Sequence, residues 1–337
     1  MDVFSIKRFD DKFKILDQTL LPLEEKYLLI DDYKDMIEAI KQLKIRGAPA
    51  IGIAGIAATY LAGKKYLNET DFKKKMLVAM SEIENSRPTA VNLFHAIEKV
   101  RDILLIQNDS NKFNQNTILC EINKLVDELM QYEYEACQKM AINGFDYIPK
   151  HINRFLTHCN TGSLATYGSG TALGVIKEIA KHREIEVYVD ETRPLFQGSR
   201  LTMWELQKSD INCTLITDNM AAWTIKTKNI QAIITGADRI AQNGDTANKI
   251  GTLNLALLAN HFAIPFYIVA PESTFDKKIN SGKDIVIEER DCEEVSFFKG
   301  VSLTPKCIKV FNPAFDVTNR DLISAIITDQ KVYDNGG

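Results

Sequence analysis

At 337 residues, 45% hydrophobic and 26% charged, the chain has the composition of a globular protein too large for one small core. A net charge of −4 carries no electrostatic footprint for nucleic acid, and lysine runs such as 73–75 read as solvated helix faces. An anionic ligand must therefore be met by particular arginines and lysines in a pocket, not by a global field.

In chain order, the first thirty residues alternate apolar and polar (KFKILDQ, KYLLIDD), which predicts short strands on either side of Pro22. Helical periodicity follows at 33–44. Pro49 then opens a small-residue helix, AIGIAGIAATYLAGKKY, and further helices are expected at 71–85, 89–106 and 117–145. A polar loop, 109–116 (DSNKFNQN), separates the last two.

Near residues 144–151 the pattern changes. Short apolar runs at 154–158, 186–190, 213–217, 232–235 and 265–269 alternate with helical stretches at 171–182, 200–208, 220–227 and 249–262. That alternation predicts parallel strands joined by crossover helices. The expected fold class is α/β: a mostly helical N-terminal domain with a few short strands, residues 1–147, then a Rossmann-like doubly wound parallel-sheet domain, residues 148–337. No internal repeat or low-complexity tract is visible.

Six cysteines, Cys120, Cys137, Cys159, Cys213, Cys292 and Cys307, form no C-x-x-C pair and none stands at metal-ligand spacing from a histidine. No signal peptide and no bilayer-length apolar run can be read, so a cytoplasmic protein with reduced thiols, no membrane partner and no metal is expected.

Five segments are candidates for chemistry. The first is 154–176, RFLTHCNTGSLATYGSGTALGVI, where an apolar run ends in His158, Cys159 and Asn160 and a glycine-studded loop leads to a helix. α/β proteins place ligands at such strand ends. A cysteine at that mouth also feels the field of the helix N-terminus, which favours thiolate. The plain alternative is a buried structural thiol, against which stands its place after the strand and not inside it. The second is 235–252, TGADRIAQNGDTANKIGT: Asp238 follows a strand, Asn243-Gly244-Asp245 forms a turn, and Asn248 and Lys249 are expected to begin the next helix. A carboxylate, an amide and a lysine beside helix N–H groups suit an anionic ligand plus a general acid or base. The alternative pairs Asp238 with Arg239 and makes Asp245 a helix cap. The third is 190–200, DETRPLFQGSR, a strand-end loop with Gln197 that otherwise reads as a surface turn. The fourth and fifth are 45–52 (IRGAPAIG) and 86–92 (SRPTAVN), where Arg46 and Arg87 precede helix starts in the manner of a phosphate cradle, or are simply solvated.

Gly168-Ser-Gly170 and Gly174, with Asp190 ending the next strand, resemble a relaxed dinucleotide fingerprint. The glycines come about ten residues too late for that fingerprint, which puts the dehydrogenase reading well behind.

Taken in order, IRGAPAIG, SRPTAVN, THCNTGSLATYGSGTALGVI, DETRPLFQGSRLTMWEL, GADRIAQNGDTANKIGT and NPAFDVT resemble the methylthioribose-1-phosphate isomerases of methionine salvage. The likeness runs from Asp17 to Thr328. The wider family includes ribose-1,5-bisphosphate isomerases and regulatory subunits of the eukaryotic initiation-factor exchange complex. The resemblance implies a cofactor-free homodimer that converts a sugar-phosphate aldose to a ketose. It implies Asp238 as proton donor and Cys159 as second catalytic group. Substrate contacts are implied at Arg46, Gly47, Ala48, Arg87, Gln197, Asn248 and Lys249. Presence of both Cys159 and Asp238 favours an enzyme over a silent regulatory subunit; an isomerase of a related pentose 1-phosphate is the nearer alternative. Lys44 and Ser199 stand where the family usually has methionine and alanine, and Asn319 where a proline is common; none touches the implied chemistry.

Overall fold

A computed structural model of the chain describes residues 3–87, 90–109, 114–298 and 300–334. Pro88 and Thr89 of the second arginine motif, and residues 110–113 of the expected polar loop, lie outside the described residues. The chain forms two compact units, one of Met1–Glu135 with Ser163–Gly170, the other of Ala136–Gly162 with Thr171–Gly337.

In the first unit, β1 (Ile6–Phe9), β2 (Lys12–Leu16) and β3 (Tyr27–Ile30) form an antiparallel meander. Ile6, Phe13, Ile15 and Ile30 point from it into a core shared with the helices that follow. These are α1 (Tyr33–Lys41), α2 (Ala48–Tyr66), α3 (Phe72–Glu84), α4 (Val91–Asp109) and the beginning of α5 (Gln115–Tyr147). Asp32 caps α1, its carboxylate accepting from the Lys34 amide at 2.9 Å. α2 is apolar on all sides, so only a buried position suits it. Ile53, Ala54, Ile56 and Ala57 are accordingly 0% exposed. The segment 163–170 belongs to this unit through backbone-directed bonds. Ser5 Oγ donates to Thr166 O at 2.6 Å, Gln18 Nε2 to Leu164 O at 2.8 Å and the Ala50 amide to Ala165 O at 3.2 Å.

The second unit is built on β4 (Arg154–Thr157), α6 (Ala172–Ala180), β5 (Glu186–Asp190), α7 (Met203–Lys208), β6 (Cys213–Ile216), α8 (Ala221–Lys228) and β7 (Ala232–Thr235). A hairpin of β8 (Arg239–Ala241) and β9 (Thr246–Lys249) precedes α9 (Thr252–Phe262), β10 (Phe266–Val269) and β11 (Phe275–Asp276). The remainder holds α10 (Glu293–Ser296), β12 (Phe297–Phe298), β13 (Val301–Ser302), β14 (Phe315–Thr318), β15 (Ala325–Ile327) and β16 (Val332–Asp334).

Its main sheet runs β6-β5-β4-β7-β10-β15-β16, parallel except for β16. Alternate residues feed opposite faces. Phe155, Val187 and Ile234 pack with α6, whereas Leu156, Tyr188 and Ile233 pack with α8 and α9. The doubly wound plan expected from the alternating pattern is present, and all five predicted strands lie in this sheet. The chain winds outward in both directions from β4 and β7, so the crevice beyond their carboxyl ends is the topological switch point. Among the described residues, no helix is long and apolar enough to cross a membrane.

Two predicted helix starts differ. The stretch expected from Arg200 begins earlier, as a π-helical turn at Gly198–Thr202 that runs into α7. That turn presses so closely on the end of β5 that a Cβ at Gly198 would lie 1.7 Å from Asp190 O. The helix expected from Lys249 begins only at Thr252, because Asn243-Gly244 turns a hairpin and carries Asn248 and Lys249 on β9. β9 lies between β8 and β14 in a small second sheet, β11-β8-β9-β14.

Candidate active site

Cys159, Asp238 and Lys249 gather at the switch point. Cys159 stands two residues beyond β4 and Asp238 three beyond β7; both influence the charge state of Lys249 at the end of β9. Lys249 donates to Ala314 O at 2.9 Å, and its ammonium lies 4.9 Å from the centre of the Phe315 ring. Protein atoms crowd this amine, and the resulting desolvation holds its pKa below the ordinary lysine value. The Cys159 and Asp238 charges pull the other way and Arg290 adds to the lowering. Beside Asp238, Arg239 Nε faces Asp276 Oδ2 at 4.0 Å. The Asp245 carboxylate accepts from the amides of Gly282 and Arg320, each at 2.9 Å, the first residues of two short 3-10 turns (Gly282–Asp284 and Arg320–Leu322), and so ties the hairpin turn to both.

Asn248 is 4% exposed and donates to Thr252 Oγ1 at 2.9 Å. Gln197 is 6% exposed, and among the described residues its Oε1 has no hydrogen-bond partner. A buried amide oxygen without a donor is costly, which marks it as an acceptor available to a ligand hydroxyl.

The remaining sequence candidates lie in the first unit. Arg46 precedes Gly47, the N-cap of α2, and Ala48 with Pro49 forms its first turn. Gly47 has φ of 91°, and a Cβ there would meet Ala165 Cα and O at 2.5 Å. Arg87 sits in the turn after α3, where its carbonyl accepts from the Ala90 amide at 3.0 Å. Each unit thus carries one group: Arg46, Gly47, Ala48 and Arg87 in the first, Cys159, Gln197, Asp238, Asn248 and Lys249 in the second.

Sequence reasoning missed the residues that hold the Cys159 loop. His158 and Asp190 are each 1% exposed and bonded, Nδ1 to Oδ2, at 3.0 Å. His158 Nε2 lies 2.8 Å from Ile250 O, an atom that can only accept, so Nε2 carries a hydrogen. One further proton then lies between Nδ1 and Asp190, and the pair is neutral wherever that proton sits. Burial alone would lower the imidazole pKa, but the bond to Asp190, its charge, Asp218 and Ile250 O outweigh burial and raise it. Burial raises the Asp190 carboxyl in turn, against the pull of His158.

His158, Asp190 and Asp218 bring three ligand-type atoms within 4.8 Å of one another. Asp218 accepts from the amides of Thr192 at 2.8 Å and Arg193 at 2.7 Å. The three groups thus bracket the ends of β4, β5 and β6. Below the loop, Asn160 Nδ2 donates to Glu205 Oε1 at 2.9 Å, and buried Glu205 is paired with Lys177 at 2.7 Å. Thr161, not Cys159, serves the start of α6, its Oγ1 accepting from Leu173 N at 3.2 Å and its carbonyl from Thr171 N at 2.8 Å. The last recognised motif, NPAFDVT, supports β9 and α9: Asp316 accepts from the amides of Gly251 at 2.7 Å and Leu253 at 3.1 Å.

A parallel sheet with a thiol, a carboxylate and a half-buried amine at its switch point defines a Rossmann-like protein built to hold and transform a small anionic molecule. The chain belongs to the initiation factor 2 subunit family, whose model matches residues 44–334. Methylthioribose-1-phosphate isomerase of Heliobacterium modesticaldum is 47% identical over 330 residues, which are 96% of this chain and 94% of that protein. The enzyme of the same name from Dehalococcoides mccartyi is 48% identical over 337 residues, 97% of this chain and 98% of that one. Among solved structures, 5-methylthioribose 1-phosphate isomerase from Pyrococcus horikoshii superposes with a TM-score of 0.90 at 38% identity, covering 98% of this chain and 92% of that chain. A structure titled translation initiation factor eIF-2B, subunit delta, from A. fulgidus is similar at a TM-score of 0.86 and 37% identity, covering 99% and 97%.

Proposed function

We propose that this chain is an aldose–ketose isomerase that converts 5-methylthioribose 1-phosphate to 5-methylthioribulose 1-phosphate in methionine salvage. The observation that carries this reading is the electrostatic coupling of Lys249 to Cys159 and Asp238 at the switch point of a chain whose isomerase relatives match nearly all of its length.

The substrate explains the need for such a site. Phosphate on C1 locks the sugar as a glycosyl ester, so no free aldehyde is available for ordinary enolisation. Asp238 protonates the ring oxygen as the C1–O bond breaks, leaving a cationic C1 that still bears phosphate. Water would hydrolyse that species, so the pocket must be dry. Hydrogen then passes from C2 to C1. Either Cys159 removes it as a proton and returns it to C1 of the enol, or it moves directly as hydride; in both routes the C2 hydroxyl gives up its proton as the C2 carbonyl forms, and that proton restores the Asp238 carboxyl. In both routes C1 is reduced and C2 oxidised within one molecule, so electrons balance without an external acceptor. Arg46, Arg87 and Lys249 supply charge for the phosphate, with N–H groups at Gly47 and Ala48. Gln197 and Asn248 bind sugar hydroxyls. We assign the chemistry to residues 148–337 and further propose that the enzyme works as a cytoplasmic homodimer.

The test is direct. The purified chain, without added cofactor, is given methylthioribose 1-phosphate or ribose 1,5-bisphosphate, and ketose is followed by NMR. Ketose from the first substrate is expected. No turnover would fit a regulatory subunit such as the A. fulgidus protein's title describes, and preference for the bisphosphate would move the activity to the neighbouring pentose reaction. Solvent deuterium at C1 of the product would exclude pure hydride transfer.

A further inference from the structure

The backbone of Cys159 is unusual. Its φ is 61°, in the left-handed region that non-glycine residues seldom enter and that clusters at functional sites. Two buried threonine hydroxyls hold it there, one at each peptide group. The Cys159 amide donates to Thr192 Oγ1 at 2.8 Å, and the Cys159 carbonyl accepts from Thr202 Oγ1 at 2.6 Å. Thr192 is 0% and Thr202 1% exposed, and they come from different elements, the loop after β5 and the π-helical turn.

Each threonine is itself fixed. Thr192 also has a positive φ, 63°, which is rarer still for a β-branched residue. Its amide donates to Asp218 at 2.8 Å and its hydroxyl to Asp190 O at 3.2 Å. Thr202 Oγ1 accepts from Asn160 Nδ2 at 3.2 Å, and Asn160 is in turn tied to the buried Glu205. A helical threonine ordinarily returns its hydroxyl to the carbonyl a turn earlier. Thr202 gives its hydrogen instead to the residue that bears the thiol.

We propose, building on the isomerase reading above, that Thr192 and Thr202 are positioning residues whose hydroxyls lock Cys159 in its left-handed conformation and thereby place the thiol for hydrogen transfer. Removing either hydroxyl leaves a buried peptide group of Cys159 without its partner and frees the backbone to relax to negative φ. Displacement of a reacting group by about 1 Å costs on the order of 10²-fold in rate.

The experiment uses purified full-length protein carrying Thr192→Val, Thr202→Val and the corresponding serine variants. Each valine variant is expected to lose about tenfold to a hundredfold in kcat with KM changed by less than about twofold, and each serine variant to recover most of that loss. Hydrogen exchange resolved by mass spectrometry is expected to show the Cys159 amide exchanging at least about tenfold faster in Thr192→Val, with β4 unchanged. Wild-type kcat in both valine variants overturns the role. Serine variants as slow as the valine variants also overturn it, because methyl packing and not the hydroxyl would then matter. Should a valine variant lose its cooperative melting transition, its serine counterpart decides: activity lost despite a retained hydroxyl ends the proposal. A wild-type chain that turns over no substrate sinks the isomerase reading and this role with it; an active wild type with unaffected valine variants sinks this role alone.

Discussion

The two units use left-handed backbone in opposite ways. At the start of α2 the residue with positive φ is Gly47, which has no side chain to spend and touches Ala165 backbone where a Cβ would stand. After β4 the residue is Cys159, and neighbours must hold what glycine would adopt freely. In the proposed function Gly47 offers a ligand only its backbone N–H, for which glycine suffices. Cys159 is there assigned chemistry with its side chain, and the fold tolerates the strain of keeping it.

The largest expected effects test the second half of that contrast. Cys159→Ser and Asp238→Asn should each lower turnover by at least about a hundredfold while the melting transition persists. Normal turnover in either variant removes that residue from the chemistry. Cys159→Gly sharpens the comparison: it should abolish activity and leave stability equal or higher, since the glycine relieves φ of 61°. Loss of stability in that variant would mean the thiol is there for packing.

The first half is tested by Gly47→Ala. The new methyl group would sit 2.5 Å from Ala165 Cα at a φ of 91°, so the loop or the helix start must move. A loss of roughly 1–3 kcal/mol in denaturant unfolding is expected. A variant as stable as wild type would show that the two units do not differ in the way described. Arg87→Ala should act on binding, raising KM about tenfold with kcat little changed. An unchanged KM takes Arg87 off the list of phosphate contacts.

How much of this was legible in the sequence depends on the range of the interactions. The strands at Arg154–Thr157, Glu186–Asp190 and Ala232–Thr235 were readable because apolar runs bounded by turns report a local preference. The places of Cys159 and Asp238 just beyond strands were readable because strand ends are marked in the chain itself. The small sheet was overrun by an apolar helical pattern, although Asn243-Gly244 is a strong hairpin signal and Gly251, with φ of 106°, cannot sit inside a helix. Thr192, Thr202, Glu205 and the His158–Asp190 pair were not readable as a group. Their roles exist only through bonds between residues 32 to 45 positions apart, such as His158 with Asp190 and Asn160 with Glu205. Local periodicity carries no trace of such partners.

The smallest effect is electrostatic and concerns the bracket beneath the thiol. The His158 imidazole has its pKa raised above its ordinary value of 6.5, despite burial, by the bond and charge of Asp190 and by Asp218. The folded chain thus binds this proton more tightly than the unfolded one. The sign follows from linkage: the contribution is fully present below the unfolded pKa and is lost as pH rises through the folded pKa. Asp190 is raised as well, by burial, so it adds in the same direction and not against it. Burial raises the carboxyl of Asp316, which accepts from the Gly251 and Leu253 amides at the start of α9, against those bonds and the pull of the His158 charge. Unfolding free energy should therefore fall as pH climbs above about 6.5, by no more than about 1.4 kcal/mol per pH unit for one proton. His158→Gln should flatten that slope. A slope unchanged by the substitution would assign the proton elsewhere, and Cys159 would then be held by its two threonines with no electrostatic help from the residue before it.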